Sequence, residues 1–194
     1  MLSRARLASS RAAARGSCRL FSADRALRAC FVDYHALNRH EDYLEEIQSG
    51  RVDFAMHDGA AALLSDIRND GLRIGLVMPR FPVESDAERF LEHYGSRFHA
   101  VISSDEALGF PEAAPLRAAI EAWSLDPKHV LVVASQRIDT DYAPLLQAAK
   151  TVGCFTCALL EDGAGRPEPK PMYRVRELGE VSLLLHQLNE ELAY

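Results

Sequence analysis

No acidic residue occurs before Asp24, although the chain as a whole carries 28 acids against 22 Lys and Arg. The same stretch holds Arg4, Arg6, Arg11, Arg15 and Arg19 among many Ala and Ser. A segment rich in Arg and Ser and poor in acid has the signature of an organellar transit peptide. Arg19-Leu20-Phe21-Ser22 resembles a matrix-protease cleavage site. There is no apolar core of the kind that directs secretion. Residues 1–22 are therefore expected to be a mitochondrial transit peptide, and 23–194 the folded domain, on the matrix side.

Other absences exclude further classes. No run approaches the ~20 apolar residues of a membrane-spanning helix. The expected mature protein has no transmembrane segment, although it could be peripheral on something larger. Without the five N-terminal arginines, the formal net charge of −6 becomes about −11. Phosphate contacts need Lys and Arg, so direct nucleic-acid binding is not expected. Cysteine is scarce, at Cys18, Cys30, Cys154 and Cys157. Cys154 and Cys157 have CxxC spacing, but no second pair completes a zinc site. They also fall at an expected strand, where residues three apart face opposite sides. Buried thiols acting as small hydrophobes are the expectation.

From residue 27 onward the chain alternates strands with helices. Strands are expected at Ala29–Val32, Leu72–Met78, Ala100–Ser103, Val130–Ala134 and Cys154–Leu159. Helices are expected at Glu41–Ile47, Gly59–Asn69, Glu84–Tyr94, Ala113–Trp123, Asp141–Thr151 and Val181–Glu191. Asn69-Asp70-Gly71 stops the second of these helices, and Pro144 is tolerated in a first turn. Such alternation implies a parallel sheet with helices on both faces, an α/β three-layer sandwich.

Several segments, in order, resemble the haloacid-dehalogenase-like (HAD) superfamily. Asp70-Gly71-Leu72-Arg73-Ile74-Gly75-Leu76-Val77 is similar to that family's GLRLGLVSN segment. Leu125-Asp126-Pro127-Lys128-His129-Val130-Leu131-Val132-Val133 is similar to LGVDPERVLVV. Arg137 to Pro144 is similar to RIDNDIAP. The resemblance covers about 150 residues from Leu27 on, and implies a Rossmannoid, HAD-like core.

It also implies an active rim at the C-terminal edge of the sheet, where open α/β sheets place their chemistry. The family's phosphatases use DxDGT, whose first aspartate is the nucleophile. They add a Ser or Thr for the phosphoryl group, a Lys that offsets negative charge, and an acidic loop that holds Mg²⁺. Asp33-Tyr34-His35-Ala36-Leu37 aligns on the first element. It keeps Asp33 and replaces the second aspartate by His35, which could act as a general acid. Met78 stands where Ser or Thr is expected, and a thioether is a poor hydrogen-bonding group. Phe110 stands at the Lys position and carries no charge. Ser135-Gln136, read as a polar turn, replaces the Gly-Asp of the metal loop, while Asp139 and Asp141 are retained. A neutral amide is not an anionic ligand for a hard cation.

The six positions Asp33, His35, Met78, Phe110, Gln136 and Asp141 are thus expected to meet on one rim as vestiges, with no metal or cofactor bound. Asp33→Asn is expected to leave function intact, and to stabilise the fold if the carboxylate is buried. About 20 residues separate Leu37 from Asp58 and fewer than ten separate Ser104 from Pro111. Neither interval holds a cap domain, and an uncapped rim does not exclude water from a small substrate. His35, His40 and His57 lie near Glu41, Asp42 and Asp58, but their spacings match no ligand motif, so they read as a solvated polar loop. Trp123 reads as a core anchor.

Pro79-Arg80-Phe81-Pro82 makes the rim partly apolar, which suits either a protein contact through Arg80 and Phe81 or a filled pocket. The reading is non-catalytic: an accessory or structural subunit of a larger mitochondrial assembly, in the respiratory chain or ATP synthase rather than the ribosome. Its partners would be protein subunits. Two alternatives stay open. One is an Mg²⁺-dependent phosphatase using Asp33 and His35; the other is a module that binds a phosphorylated ligand without turning it over.

Overall fold

The structure is a computed structural model that describes residues 27–38, 56–78, 88, 90–92, 94–103, 113–136, 143–160 and 169–191. Its centre is a six-stranded, wholly parallel sheet. The strands are β1 (Ala29–Asp33), β2 (Arg73–Met78), β3 (Ala100–Ser103), β4 (Val130–Gln136), β5 (Phe155–Leu160) and β6 (Tyr173–Val175). Their spatial order is β3-β2-β1-β4-β5-β6. The order reverses direction at β1, so β1 lies between β2 and β4. In open sheets this switch point is where ligands and chemistry gather.

Among the described residues, five helices flank the sheet: α1 (Tyr34–Leu37), α2 (Ala60–Asn69), α3 (Ala114–Ala122), α4 (Ala143–Val152) and α5 (Leu178–Glu191). Two apolar clusters mark the two faces. Cys30, Val32, Leu76, Leu131 and Val133 point to the face covered by α1, α2 and α5. Phe31, Val77, Val130, Val132 and Ala134 point to the face covered by α3 and α4. This is the period-2 alternation of a strand with helices on both sides. The three-layer α/β sandwich expected from the sequence is present. Leu27 N–H donates to Asn189 Oδ1 at 3.1 Å, fastening α5 to the entry of β1.

Two close fits fix the layers. A Cβ built on Gly75 would lie 2.1 Å from Phe31 Cδ1, so only glycine leaves room for that ring. Phe31 stacks on Trp123 with centroids 5.1 Å apart. Trp123 is therefore a core anchor, as read. After α2, Gly71 adopts φ 71°, a left-handed turn that suits glycine as the chain re-enters the sheet.

Most element boundaries fall within two residues of expectation, and three features differ. Residues 34–37 form α1 directly after β1, where no strand or helix was expected. Ser135 and Gln136 are not a turn but the end of β4, paired with Leu159 and Leu160 of β5. Residues 173–175 add β6 as an edge strand beside β5. The expected helix Glu41–Ile47 and the transit peptide lie outside the described residues.

Candidate functional site

The site is built at the C-terminal ends of β1, β2 and β4. Asp33 closes β1, with Val77 as its register partner on β2. Its side chain is only 9% exposed. One carboxylate oxygen, Oδ1, accepts from the His35 N–H at 3.3 Å and so caps α1. The other, Oδ2, accepts from the Ser135 N–H of β4 at 3.2 Å, a buried bond. A short helix carries unsatisfied N–H groups at its start, and an aspartate cap answers them. Both oxygens thus tie backbone to backbone across the switch point.

His35 lies in α1, half-buried, with its ring edge-on to Tyr34 at a centroid distance of 5.5 Å. Tyr34 in turn meets Phe90 at 5.1 Å. Met78 ends β2 and is 3% exposed, inside the same apolar cluster as Tyr34 and Phe90. A methionine at this strand end faces the α1 side and joins that cluster rather than a polar rim. Gln136 ends β4, two strands' breadth from Met78 across β1. The structure therefore brings Asp33, His35, Met78 and Gln136 to one end of the sheet. Phe110, Asp139, Asp141, Arg80 and Phe81 lie outside the described residues, as do His40, Glu41 and Asp42.

Mg²⁺ takes oxygen ligands, usually one or two carboxylates with waters and substrate phosphate completing the shell. Among the described side chains the rim offers the carboxylate of Asp33, which accepts two N–H bonds. No group of three or more His, Cys, Asp or Glu among the described residues could hold a metal ion.

The CxxC pair is divided between the two faces. Cys154 belongs to the α3/α4 cluster and Cys157 to the opposite one. Burial pushes the thiols of Cys154 and Cys157 up to about 12. Burial raises the Cys30 thiol further, with Cys157 adding to the shift. These are inert core thiols, because the thiolate is the reactive form.

Sequence reasoning missed Ser135 as a participant, because it donates through its backbone. The Asp-x-x-x apolar start of α1 was the signal for a capped helix. It was obscured by the helix's length of four residues.

No family model matches the sequence, and no curated protein matches it either. Solved structures do match. A HAD phosphatase from Thermococcus onnurineus superposes with a TM-score of 0.57 at 19% identity, covering 82% of this chain and 98% of that one. A HAD-superfamily hydrolase from Ehrlichia chaffeensis gives 0.58 at 14% identity, over 84% and 98%. The fold is HAD-like. A haloacid-dehalogenase-like hydrolase from Xanthomonas campestris agrees, at 0.60 and 12% identity over 86% and 98%. At such identities the likeness speaks of the fold alone, and fold does not fix function. Within the HAD-like frame, Asp33 occupies the end of the central strand at the switch point.

Proposed function

We propose that this chain is a non-catalytic HAD-fold protein, working as an accessory subunit docked on a larger mitochondrial assembly. The observation that carries this reading is the state of Asp33. Its carboxylate bonds backbone N–H groups of α1 and β4 and is nearly buried. A carboxylate so used is a structural clasp. To attack phosphorus it would also have to approach a dianion that repels it. Met78, buried in one cluster with Tyr34 and Phe90, supplies no phosphoryl donor.

The mitochondrial address rests on the arginine-rich, acid-free stretch before Asp24. The acidic balance of the remaining chain favours a respiratory-chain or ATP-synthase assembly over a ribosomal one. The short intervals at 38–57 and 105–110 leave an uncapped rim suited to a macromolecule, with Arg80 and Phe81 as its contact residues. Size fractionation of mitochondrial extract tests the reading. Co-migration with a large complex supports it; migration as a free, monomer-sized chain contradicts it.

A second reading has one observation behind it. Asp33 stands at the strand end where a HAD phosphatase places its nucleophile, and the Thermococcus onnurineus neighbour is a HAD phosphatase. Under that reading Asp33 and His35 would act with Mg²⁺, or the rim would hold a phosphorylated ligand without turnover.

A further inference from the structure

A small apolar pocket lies away from the candidate site, where α3 meets the end of α4 and the turn that leads into β4. It holds about 230 Å³ and is lined by Arg117, Ile120, Glu121, Leu125, Pro127 and Val152. Ile120 is fully buried and forms the floor, while Leu125, Pro127 and Val152 are half-buried walls. Local bonds hold these walls in place. Leu125 N–H donates to Ile120 O at 3.2 Å. Asp126 caps the 3₁₀ turn Pro127–His129 by accepting from the Lys128 N–H at 3.1 Å. Gly153, at φ 95°, follows α4, and its N–H donates to Ala149 O at 3.0 Å. A Cβ built on it would lie 3.9 Å from Pro127 Cβ, so the end of α4 sits close against that turn.

Arg117 and Glu121 are the exposed residues of the lining. Residues four apart on a helix share one face, so both side chains border the same opening. Among the described residues neither side chain makes a hydrogen bond or an ion pair. An arginine placed four residues before a glutamate is the less favourable order for a mutual pair. On the neighbouring turn, Lys128 and Asp126 are paired with each other at 3.0 Å. The pocket thus offers one cation and one anion, both unmatched there, above an apolar floor.

We propose that this pocket binds a free α-amino acid with a branched aliphatic side chain. Its carboxylate sits on the Arg117 guanidinium, whose fork matches a carboxylate in bidentate fashion. Its ammonium group sits on Glu121, and its side chain lies against Ile120, Leu125, Pro127 and Val152. A fatty carboxylate would leave Glu121 unmatched, and a simple amine would leave Arg117 unmatched. Pockets for drug-sized ligands hold roughly 300–1,000 Å³. The volume here is smaller, which suits a short side chain and excludes a nucleotide. The site goes beyond the subunit reading and does not depend on it.

Calorimetric titration of the full-length chain with L-leucine, leucinamide, isocaproate and glycine tests the assignment. Leucine is expected to bind. Leucinamide lacks the carboxylate, isocaproate the ammonium group and glycine the side chain, and each is expected to bind at least tenfold more weakly. Arg117→Gln is expected to bind leucine and leucinamide alike, and Glu121→Gln to bind leucine and isocaproate alike. Both residues are exposed, and a loss of one selectivity at a time is not what unfolding produces. Arg174→Gln, on edge strand β6, is expected to change nothing. Absence of leucine binding, or leucinamide bound as tightly as leucine, overturns the proposal. So does unchanged selectivity in the Arg117→Gln and Glu121→Gln variants. Isocaproate bound as tightly as leucine, or more so, overturns it in favour of a pocket for simple carboxylates.

Discussion

Asp33 and Ser135 lie 102 residues apart, and the Ser135 N–H donates to Asp33 Oδ2 at 3.2 Å in a buried bond. The second oxygen caps α1 through the His35 N–H. Removing the side chain uncaps the helix and strands the Ser135 N–H, a combined cost of about 2–4 kcal/mol for Asp33→Ala. Asp33→Asn keeps one acceptor but turns an NH₂ group toward the other N–H, and should cost about 1–2 kcal/mol. The sequence suggested that Asn would stabilise a buried position. Two backbone donors reverse that expectation, since they favour the charged acceptor. Urea unfolding of both variants, with the order wild type, Asn, Ala in midpoint, checks this.

Gly75→Ala is expected to be severe. The new Cβ would overlap the Phe31 ring, and moving the ring breaks its stack on Trp123. Overpacking of this kind costs about 3 kcal/mol or more. The Gly75→Ala/Phe31→Leu pair should recover part of the loss, and Trp123 emission should shift in the single variant. Equal additive losses in the double variant would show that the two residues do not collide.

Stability should fall as the pH drops below neutrality, in part through His99. Burial, then Arg68 and Arg73, hold its folded pKa below the unfolded value. The unfolded chain therefore takes up the proton first. The contribution is present above about pH 6.5 and is lost as the pH falls from there through the folded value. His99 is only partly buried, so the effect is small. Urea midpoints at pH 7.5 and 5.5 should drop more for wild type than for His99→Gln.

Cys30, Cys154 and Cys157 should resist thiol reagents in the native protein, because all three are buried. Thiol titration should find them only after denaturation. Rapid native labelling of Cys154 or Cys157 would mean that β5 opens readily.

Much of the fold was legible because buried parallel strands are short apolar runs and their helices carry apolar faces. Ala100–Ser103 needed no revision, and the α2 stop at Asn69-Asp70-Gly71 follows from local turn chemistry. Three elements were not legible. The four-residue α1 is too short for a period to show. Ser135 and Gln136 are polar, and only their ladder with β5 makes them strand. Tyr173–Val175 is three residues long and is a strand only because β5 lies beside it. For the site, the strand-end position of Asp33 was readable from sequence. Its bond to Ser135 was not, because backbone partners leave no mark on residue type.

The most direct test of the central claim is hydrolysis of an aryl phosphate by purified protein with Mg²⁺, beside the Asp33→Asn variant. A clasped, nearly buried carboxylate beside Met78 predicts no turnover above that of the variant. Mg²⁺-dependent turnover in the wild type that disappears in Asp33→Asn would contradict the account and make the protein a phosphatase.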